Sequence, residues 1–159
     1  MYGYPRSCKK VETAEGVTSA DGISLIKEFE GLRLDSYYCA SGVLTIGYGH
    51  TGIDVYEGMT ITEAEAEELL KGDLKRFEEA VVRLINRDLT QHEFDACVSF
   101  SFNVGTGALQ DSTFRKRMNR GEDKPTCFRE EFPKWVNGAN GPLPGLVRRR
   151  EAEVDLAVS

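Results

Sequence analysis

Three polar residues in the first third of the chain, Glu30, Cys39 and Thr45, have side chains that suit acid–base chemistry. Glu30 ends a helical pattern, and the negative end of the helix dipole there favours the protonated carboxyl group that a general acid needs. The thiol and the hydroxyl follow nine and fifteen residues later. A helix end, a small core residue and a strand former explain the same three residues equally well, so their spacing alone leaves the function open.

The segment before Glu30 is predicted to be a helix, because its apolar residues recur at helical spacing. These residues are Leu25, Ile26, Phe29 and Leu32. Ser19 or Asp21 is available as the N-cap, and Gly31 stands where helices commonly end. From Tyr37 to Tyr56 the pattern changes to β-branched and aromatic residues with glycines, which predicts a small antiparallel sheet with a turn at 40–42.

The second half of the chain is predicted to be helical. Thr62 with Glu65, and Thr90 with Glu93, have the spacing of capping boxes. The first box starts a long helix over about 62–86, and further helices are expected near 113–120, 126–136 and 145–157. The fold class is therefore α+β, with a sheet lobe over about 20–61, a helical lobe over about 87–159, and the long helix joining them. A cleft is expected between the lobes, and residues 1–19 are expected to be a flexible tail.

Length and charge exclude several classes of protein. The 159 residues suit one domain, and the net charge of −6 argues against nucleic-acid binding. Residues 113–150 nevertheless hold ten Lys/Arg against four Asp/Glu, which predicts a basic face for an anionic ligand, or else a charged surface that aids solubility. No apolar run is long enough to span a bilayer, and the N-terminus has no export signal, so no membrane segment is expected.

Several sequence blocks resemble those of phage-type lysozymes, the bacteriophage endolysins of glycoside hydrolase family 24. The active-site stretch is matched by EGLRL at 30–34 and LTIGYGHT at 44–51. Later blocks follow in the family's order: DLTQ at 88–91, SFSFNVGTG at 99–107, STF at 112–114 and PGLVRRREAE at 144–153. The resemblance covers about residues 20–157 and implies a lysozyme-like catalytic domain.

The resemblance implies hydrolysis of the β-1,4 bond between N-acetylmuramic acid and N-acetylglucosamine in bacterial peptidoglycan. Glu30 matches the family's acid in the usual spacing Glu-x8-Asp-x5-Thr, but Cys39 replaces the Asp, as it does in a subset of phage endolysins. A thiol of ordinary pKa is mostly un-ionised at neutral pH, so it is a weaker base than a carboxylate. Our hypothesis is that Cys39 and Thr45 orient a water molecule opposite Glu30, with inversion at the sugar; direct attack by the thiolate is the alternative.

Other family positions imply further roles. Phe102, Asn103 and Thr113 match the saccharide-contacting region, although Phe102 is equally explained as a core aromatic. His50 and Asp73 are predicted to form a structural ion pair, with a catalytic histidine as the alternative.

The sequence RRR at 148–150 is expected to place one arginine near Glu30, with the other two facing solvent or the anionic wall polymer. Cys8 could form a disulfide with Cys39, or remain an exposed free thiol.

Rival functions also follow from these residues. A lytic transglycosylase would use the same acid but close an anhydro ring on the muramic acid. Cys39 with His50 would suit an amidase or peptidase, and a non-catalytic wall-binding module is a third possibility. The two histidines are 42 residues apart without a metal-binding pattern, so neither a metal nor another cofactor is expected. The family implies a monomer that accumulates in the host cytoplasm until a separate phage protein opens the membrane.

Overall fold

The chain is mostly helical, and the computed structural model describes residues 13–159. Within them lie seven α-helices: α1 (Ala20–Glu30), α2 (Glu63–Leu84), α3 (Gln91–Val104), α4 (Thr106–Asp111), α5 (Thr113–Asn119), α6 (Lys124–Glu131) and α7 (Pro144–Val158). A 3₁₀ turn at Phe132–Lys134 follows α6. The strands are β1 (Arg33–Tyr38), β2 (Leu44–Gly47), β3 (His50–Thr51), β4 (Asn137–Gly138) and β5 (Gly141–Pro142). The predicted α+β class is confirmed, and the helix predicted over 62–86 is observed as α2.

The helix ends form where capping residues predicted them. Ser19 is the N-cap of α1, and Gly31 ends the helix with a φ of 72°, a conformation that favours glycine. Thr62 accepts from the Glu65 amide at the start of α2, and the Glu65 carboxylate accepts from the Thr62 amide in return. Both capping boxes are complete, because Thr90 and Glu93 form the same pair of bonds at the start of α3. Local hydrogen bonds therefore decide where these helices begin.

The first three strands form one antiparallel sheet in the order β1-β2-β3. Tyr37 pairs with Thr45, and Thr45 pairs in turn with Thr51, so Thr45 lies on the central strand. Between β1 and β2 the chain turns tightly, with the Cys39 amide donating to the Val43 carbonyl and the Gly42 amide donating to the Cys39 carbonyl. This turn fixes the backbone that carries Cys39.

Helix α3 forms the centre of the core and packs against α1, α2 and α7. All of its residues from Glu93 to Ser101 are buried. Phe100 of this helix joins a cluster of fully buried aromatic rings with Phe114, Phe128 and Phe132. Burial of one such ring stabilises the fold by roughly 1.5–3 kcal/mol, so α3 is a rigid support for the helices on either side.

Residues 13–19 correct the prediction of a flexible tail over 1–19. The Ala14 amide donates to the Leu89 carbonyl at 2.9 Å. The Thr18 amide and hydroxyl donate to Glu78, and Ser19 donates to the buried Asp95. The prediction is wrong here because polar contacts hold the segment, and apolar periodicity does not detect such contacts. The rest of the predicted tail, 1–12 with Cys8, lies outside the described residues.

The predicted basic face over 113–150 is largely neutralised by ion pairs. Arg117 contacts Glu122, Glu130 and Glu131, and Lys134 also contacts Glu131. Two further arginines, at 149 and 150, are buried. The charge count was correct, but it could not reveal that acids from the same region and from α7 lie against these cations.

The sequence patterns missed three short elements, α4 and the β4–β5 hairpin. Helix α4 is only six residues long and follows directly on Gly105, which ends α3. In residues 13–159 no helix has both the length and the apolar character needed to cross a membrane.

Candidate active site

Glu30 is the last residue of α1 and forms an ion pair with Arg149 of α7. Arg149 Nη1 donates to Glu30 Oε1 at 2.6 Å, across 119 residues of sequence. The Glu30 side chain is 23% exposed, whereas that of Arg149 is only 4% exposed. One member of the 148–150 run therefore lies against Glu30. Its positive charge lies against a carboxyl group at the C-terminal, negative end of the α1 dipole.

The other two arginines occupy different environments. Arg148 is exposed, as predicted. Arg150 was expected to face solvent or polymer, but it is buried, donates to Asn103 Oδ1 at 2.6 Å and lies 2.9 Å from Glu153. The expectation is wrong for Arg150 because α7 turns this side chain towards α3, where Glu153 balances its charge and Asn103 accepts one of its hydrogen bonds.

A cavity of about 620 Å³ lies in front of the Glu30–Arg149 pair. Asn103 at the end of α3 and the first turn of α7 also line it. The sheet approaches from another side, since a methyl group added at Gly49 would lie 3.8 Å from Glu30 Oε2. One carboxyl oxygen of Glu30 is thus occupied by Arg149, and the other faces the turn between β2 and β3.

The Cys39 thiol is half-buried on the β1–β2 turn and forms a short contact with a neighbouring hydroxyl. Its Sγ lies 3.0 Å from Ser41 Oγ. This contact is the largest cause that lowers the pKa of Cys39, to about 7, with backbone groups of Val43 and Ser41 acting in the same direction. A thiol with that pKa is about half ionised at neutral pH. The hydrogen bonds of the turn therefore favour a larger thiolate fraction than an ordinary thiol has.

Thr45 lies next to Cys39 and is buried on β2. Its hydroxyl donates to the Val43 carbonyl at 2.9 Å, which leaves the oxygen lone pairs free to accept a hydrogen bond. The same hydroxyl makes a small contribution to the lowered pKa of Cys39. The structure thus brings Cys39 and Thr45 together at one end of the sheet.

His50 lies between two carboxylates. Its Nδ1 is 2.8 Å from Asp73 on α2, and its Nε2 is 2.9 Å from Asp54. Burial lowers the pKa of His50, but the contacts with Asp73 and Asp54 outweigh burial and leave that pKa raised. The histidine ties the start of β3 to the long helix.

The three residues that match saccharide-contacting positions are only partly together. Phe102 is half-buried, and its ring packs edge-on against Phe77 with centroids 5.1 Å apart. Asn103 follows it at the end of α3, exposed on the wall of the cavity. Thr113 is exposed at the first residue of α5, on a different helix.

Sequence reasoning missed four residues that shape this site. Glu153 follows Arg149 at helical i,i+4 spacing, a signal that could have revealed the pair. Ser41 was assigned only to a turn, although it stands two residues from a thiol. Ser99 and Asp54 carried no signal that distinguished them from other polar residues. In residues 13–159 no cluster of three or more metal-type ligands occurs.

Known proteins are similar to this chain over most of the described residues. The profile of the phage lysozyme family matches residues 27–153. The endolysin of Bacillus phage B103 is 44% identical over 137 residues, which cover 85% of this chain but only 51% of that protein, so the chain spans about half its length. The structure of a mutant lysozyme of Salmonella phage P22 matches with a TM-score of 0.83 and 36% identity, covering 90% of this chain and 99% of that one.

A second solved structure, the muramidase domain of SpmX from Asticaccaulis excentricus, matches with a TM-score of 0.80 and 39% identity. It covers 89% of this chain and 97% of that domain. The matched residues include the Glu30–Arg149 pair, the sheet and the helices that support them. From this agreement of sequence and fold, the chain belongs to the phage lysozyme family.

Proposed function

We propose that the protein is a lysozyme-type glycoside hydrolase that cleaves the β-1,4 bond between N-acetylmuramic acid and N-acetylglucosamine in peptidoglycan. The observation that carries this proposal is Glu30, a carboxyl group held by Arg149 at the wall of an open cavity. The names of the similar proteins, an endolysin and a muramidase domain, support the same reaction.

Glu30 acts as the general acid that protonates the departing sugar oxygen. Arg149 occupies Oε1, so the transferable proton resides on Oε2, which faces the sheet. Holding one carboxyl oxygen fixes the direction of the other, and a fixed direction is needed because proton transfer requires hydrogen-bond distance to the glycosidic oxygen.

Cys39 and Thr45 position and activate the water molecule. The lowered pKa of Cys39 supports this role, since a thiolate present in about half of the molecules at neutral pH can accept a proton from water. The free lone pairs of Thr45 can accept the second hydrogen of that water. Attack from the face opposite Glu30 inverts the anomeric centre.

The anomer released first tests this role of water. Inversion gives an α product at the new reducing end, which NMR detects in the first minutes of digestion. A β product would instead favour direct attack by the thiolate and a covalent intermediate.

Phe102, Asn103 and Thr113 contact the saccharide in this proposal. Asn103 Oδ1 already accepts from Arg150, so its amide NH₂ group is the part available as a donor to the sugar. Phe102 offers only a partly exposed ring, because one edge packs on Phe77. Thr113 would reach only a chain that extends along the surface towards α5.

Replacing Glu30 by Gln tests the central claim. The amide cannot donate a proton as an acid, so release of muropeptide fragments from purified peptidoglycan should fall at least about 100-fold while sedimentation with cell walls is retained. Mass spectrometry of the fragments also separates the alternatives. A hydrolase leaves reducing muramic acid, a lytic transglycosylase leaves ends lighter by one water, and an amidase releases amino groups without new reducing ends.

The cellular role is also part of the proposal, and it is supported by the endolysin names of similar proteins. The enzyme accumulates as a monomer in the host cytoplasm and degrades the wall at the end of phage infection, after a separate protein opens the membrane. Peptidoglycan is its partner, and neither a cofactor nor nucleic acid takes part. Lysis timed in cells that express the chain with and without a membrane-opening protein tests this order of events.

A further inference from the structure

Four charged side chains of alternating sign form a line from the cavity into the core. Glu30 pairs with Arg149, Arg149 Nε lies 3.4 Å from Glu153 Oε2, and Arg150 Nε lies 2.9 Å from Glu153 Oε1. Glu30 opens to the cavity, whereas the other three side chains are at most 4% exposed. Arg149 is therefore shared between two carboxylates, one in the cavity and one in the core.

Glu153 is fixed from several directions. The Ser99 hydroxyl of α3 donates to its Oε2 at 2.5 Å, and Arg149 Nη2 donates to the Ser99 carbonyl at 3.2 Å. Burial raises the pKa of Glu153, although Arg150 and Arg149 act against burial. The other carboxylate oxygen, Oε1, lies close to Arg150 Nε, but the geometry is unfavourable for a hydrogen bond. In the described residues, neither atom forms a hydrogen bond with the other or with another group. An anion so deeply buried persists because two guanidinium groups surround it.

We propose that Glu153 is a positioning residue for the general acid, an inference that rests on the proposed function of Glu30. Its carboxylate holds Arg149 against α3 and shares the charge of that guanidinium. Without Glu153, the full positive charge of Arg149 would act on Glu30 alone. With Glu153 in place, the same arginine orients Glu30 Oε1 while attracting it less strongly.

Other charged groups near α7 do not take over this role. From α3, Cys97 faces Glu153, but burial raises the pKa of this thiol well above its ordinary value, so the thiol is neutral. From α6, the buried Glu131 is engaged by Arg117 and Lys134. Among the described residues, Glu153 is the one carboxylate that contacts both arginines of the line.

Glu153→Gln in the full chain tests the proposal. Loss of this charge leaves Glu30 as the remaining carboxylate against Arg149, so the pH profile of kcat on a defined peptidoglycan oligosaccharide should move about one unit lower. At neutral pH kcat should fall about tenfold, because a pKa that is one unit lower reduces the protonated fraction of the acid tenfold. KM should stay within about twofold, because Glu153 is buried behind the cavity wall. Glu151→Gln removes the same charge from an exposed neighbour on α7 and should leave the profile and kcat unchanged.

Two milder variants keep the test decisive if Glu153→Gln does not fold. Glu153→Asp retains the charge and should keep the wild-type pH profile even if its thermal stability falls. Ser99→Ala removes the hydroxyl that donates to Glu153 and lowers its pKa, so the negative charge of Glu153 should be weakened without replacing any charged residue. It should shift the profile in the same direction as Glu153→Gln, by a smaller amount.

The outcomes separate this inference from the proposed function. A wild-type pH profile in Ser99→Ala and in a folded Glu153→Gln overturns the positioning role. If Glu30→Gln is inactive in that same assay, the role of Glu30 as the acid stands. If Glu30→Gln is as active as the parent, the proposed function itself fails. A shift in Glu153→Gln that also appears in Glu151→Gln would show a general charge effect and would overturn the inference too.

Discussion

Glu30 and Cys39, the two residues proposed to do the chemistry, depend on contacts of very different range along the chain. The environment of Glu30 is assembled from α1, α3 and α7, with its arginine 119 residues away. The environment of Cys39 is built within one turn, from Ser41, Val43 and Thr45. The acid therefore depends on the packed core, whereas the thiol depends on a short hairpin. Mutations around Glu30 should affect stability and activity together, and those around Cys39 should affect activity alone.

The largest expected effect is that of Arg149→Gln. This change removes one of the two guanidinium groups around the buried Glu153, together with the guanidinium that pairs with Glu30, and breaking a buried ion pair by removing one partner costs up to about 3–5 kcal/mol. Urea unfolding followed by circular dichroism measures the loss. Arg148→Gln, on the exposed neighbour, should change the unfolding free energy by less than about 0.5 kcal/mol. If both variants lowered the unfolding free energy by the same small amount, the view that the environment of Glu30 depends on the packed core would be contradicted.

Next in size is the effect of Cys39→Ala. Loss of the base should lower the rate of peptidoglycan hydrolysis about 100-fold or more, with Cys39→Asp retaining much more activity. The unfolding free energy should stay within about 0.5 kcal/mol of wild type, because the thiol is on a surface turn. If Cys39→Ala is as active as the parent, the thiol has no catalytic part.

Ser41→Ala should produce a smaller change, confined to pH dependence. The Ser41 hydroxyl is the largest cause of the lowered pKa of Cys39, so its loss should raise that pKa from about 7 towards the ordinary thiol value. The thiolate would then form only at higher pH, so the low-pH limb of the pH–activity profile would shift to higher pH. The pH dependence of the thiolate absorbance near 240 nm reports the same change directly. Ser24→Ala, an exposed serine on α1, is the matched control, and equal curves for both variants would argue against the hydrogen bond.

The smallest effect is expected at His50, whose ion pairs with Asp54 and Asp73 have no part in the proposed roles of Glu30 and Cys39. The pKa of His50 is raised in the folded protein, so its ion pairs stabilise fully below the ordinary histidine pKa and are lost as the pH rises through the raised value. Wild type should therefore exceed His50→Gln in unfolding free energy by up to about 1 kcal/mol at about pH 5, and by less at about pH 8. A difference that grows with pH would contradict this sign. Unchanged catalysis in His50→Gln would support a structural histidine.

Features that depend on neighbouring residues were predicted better than those that depend on contacts between residues distant in sequence. Helix starts at Thr62 and Thr90, and the helix end at Gly31, were predicted because capping is a property of neighbouring residues. The segment 13–19 was assigned wrongly, because its contacts with Leu89, Glu78 and Asp95 are distant in sequence. The ionisation of Cys39 was also missed, even though its causes are local, because turn geometry decides whether Ser41 points at the thiol.

By itself the sequence determined the helical and strand pattern, the spacing of Glu30, Cys39 and Thr45, and the family whose blocks they match. Only the tertiary structure decided which of three adjacent arginines lies against Glu30, and that Arg150 and Glu153 are buried behind it. Adjacent residues on a helix point about 100° apart, so a contact across the core depends on how α7 is rotated against α1 and α3. That rotation is set by the packing of the whole interface, and no local pattern records it.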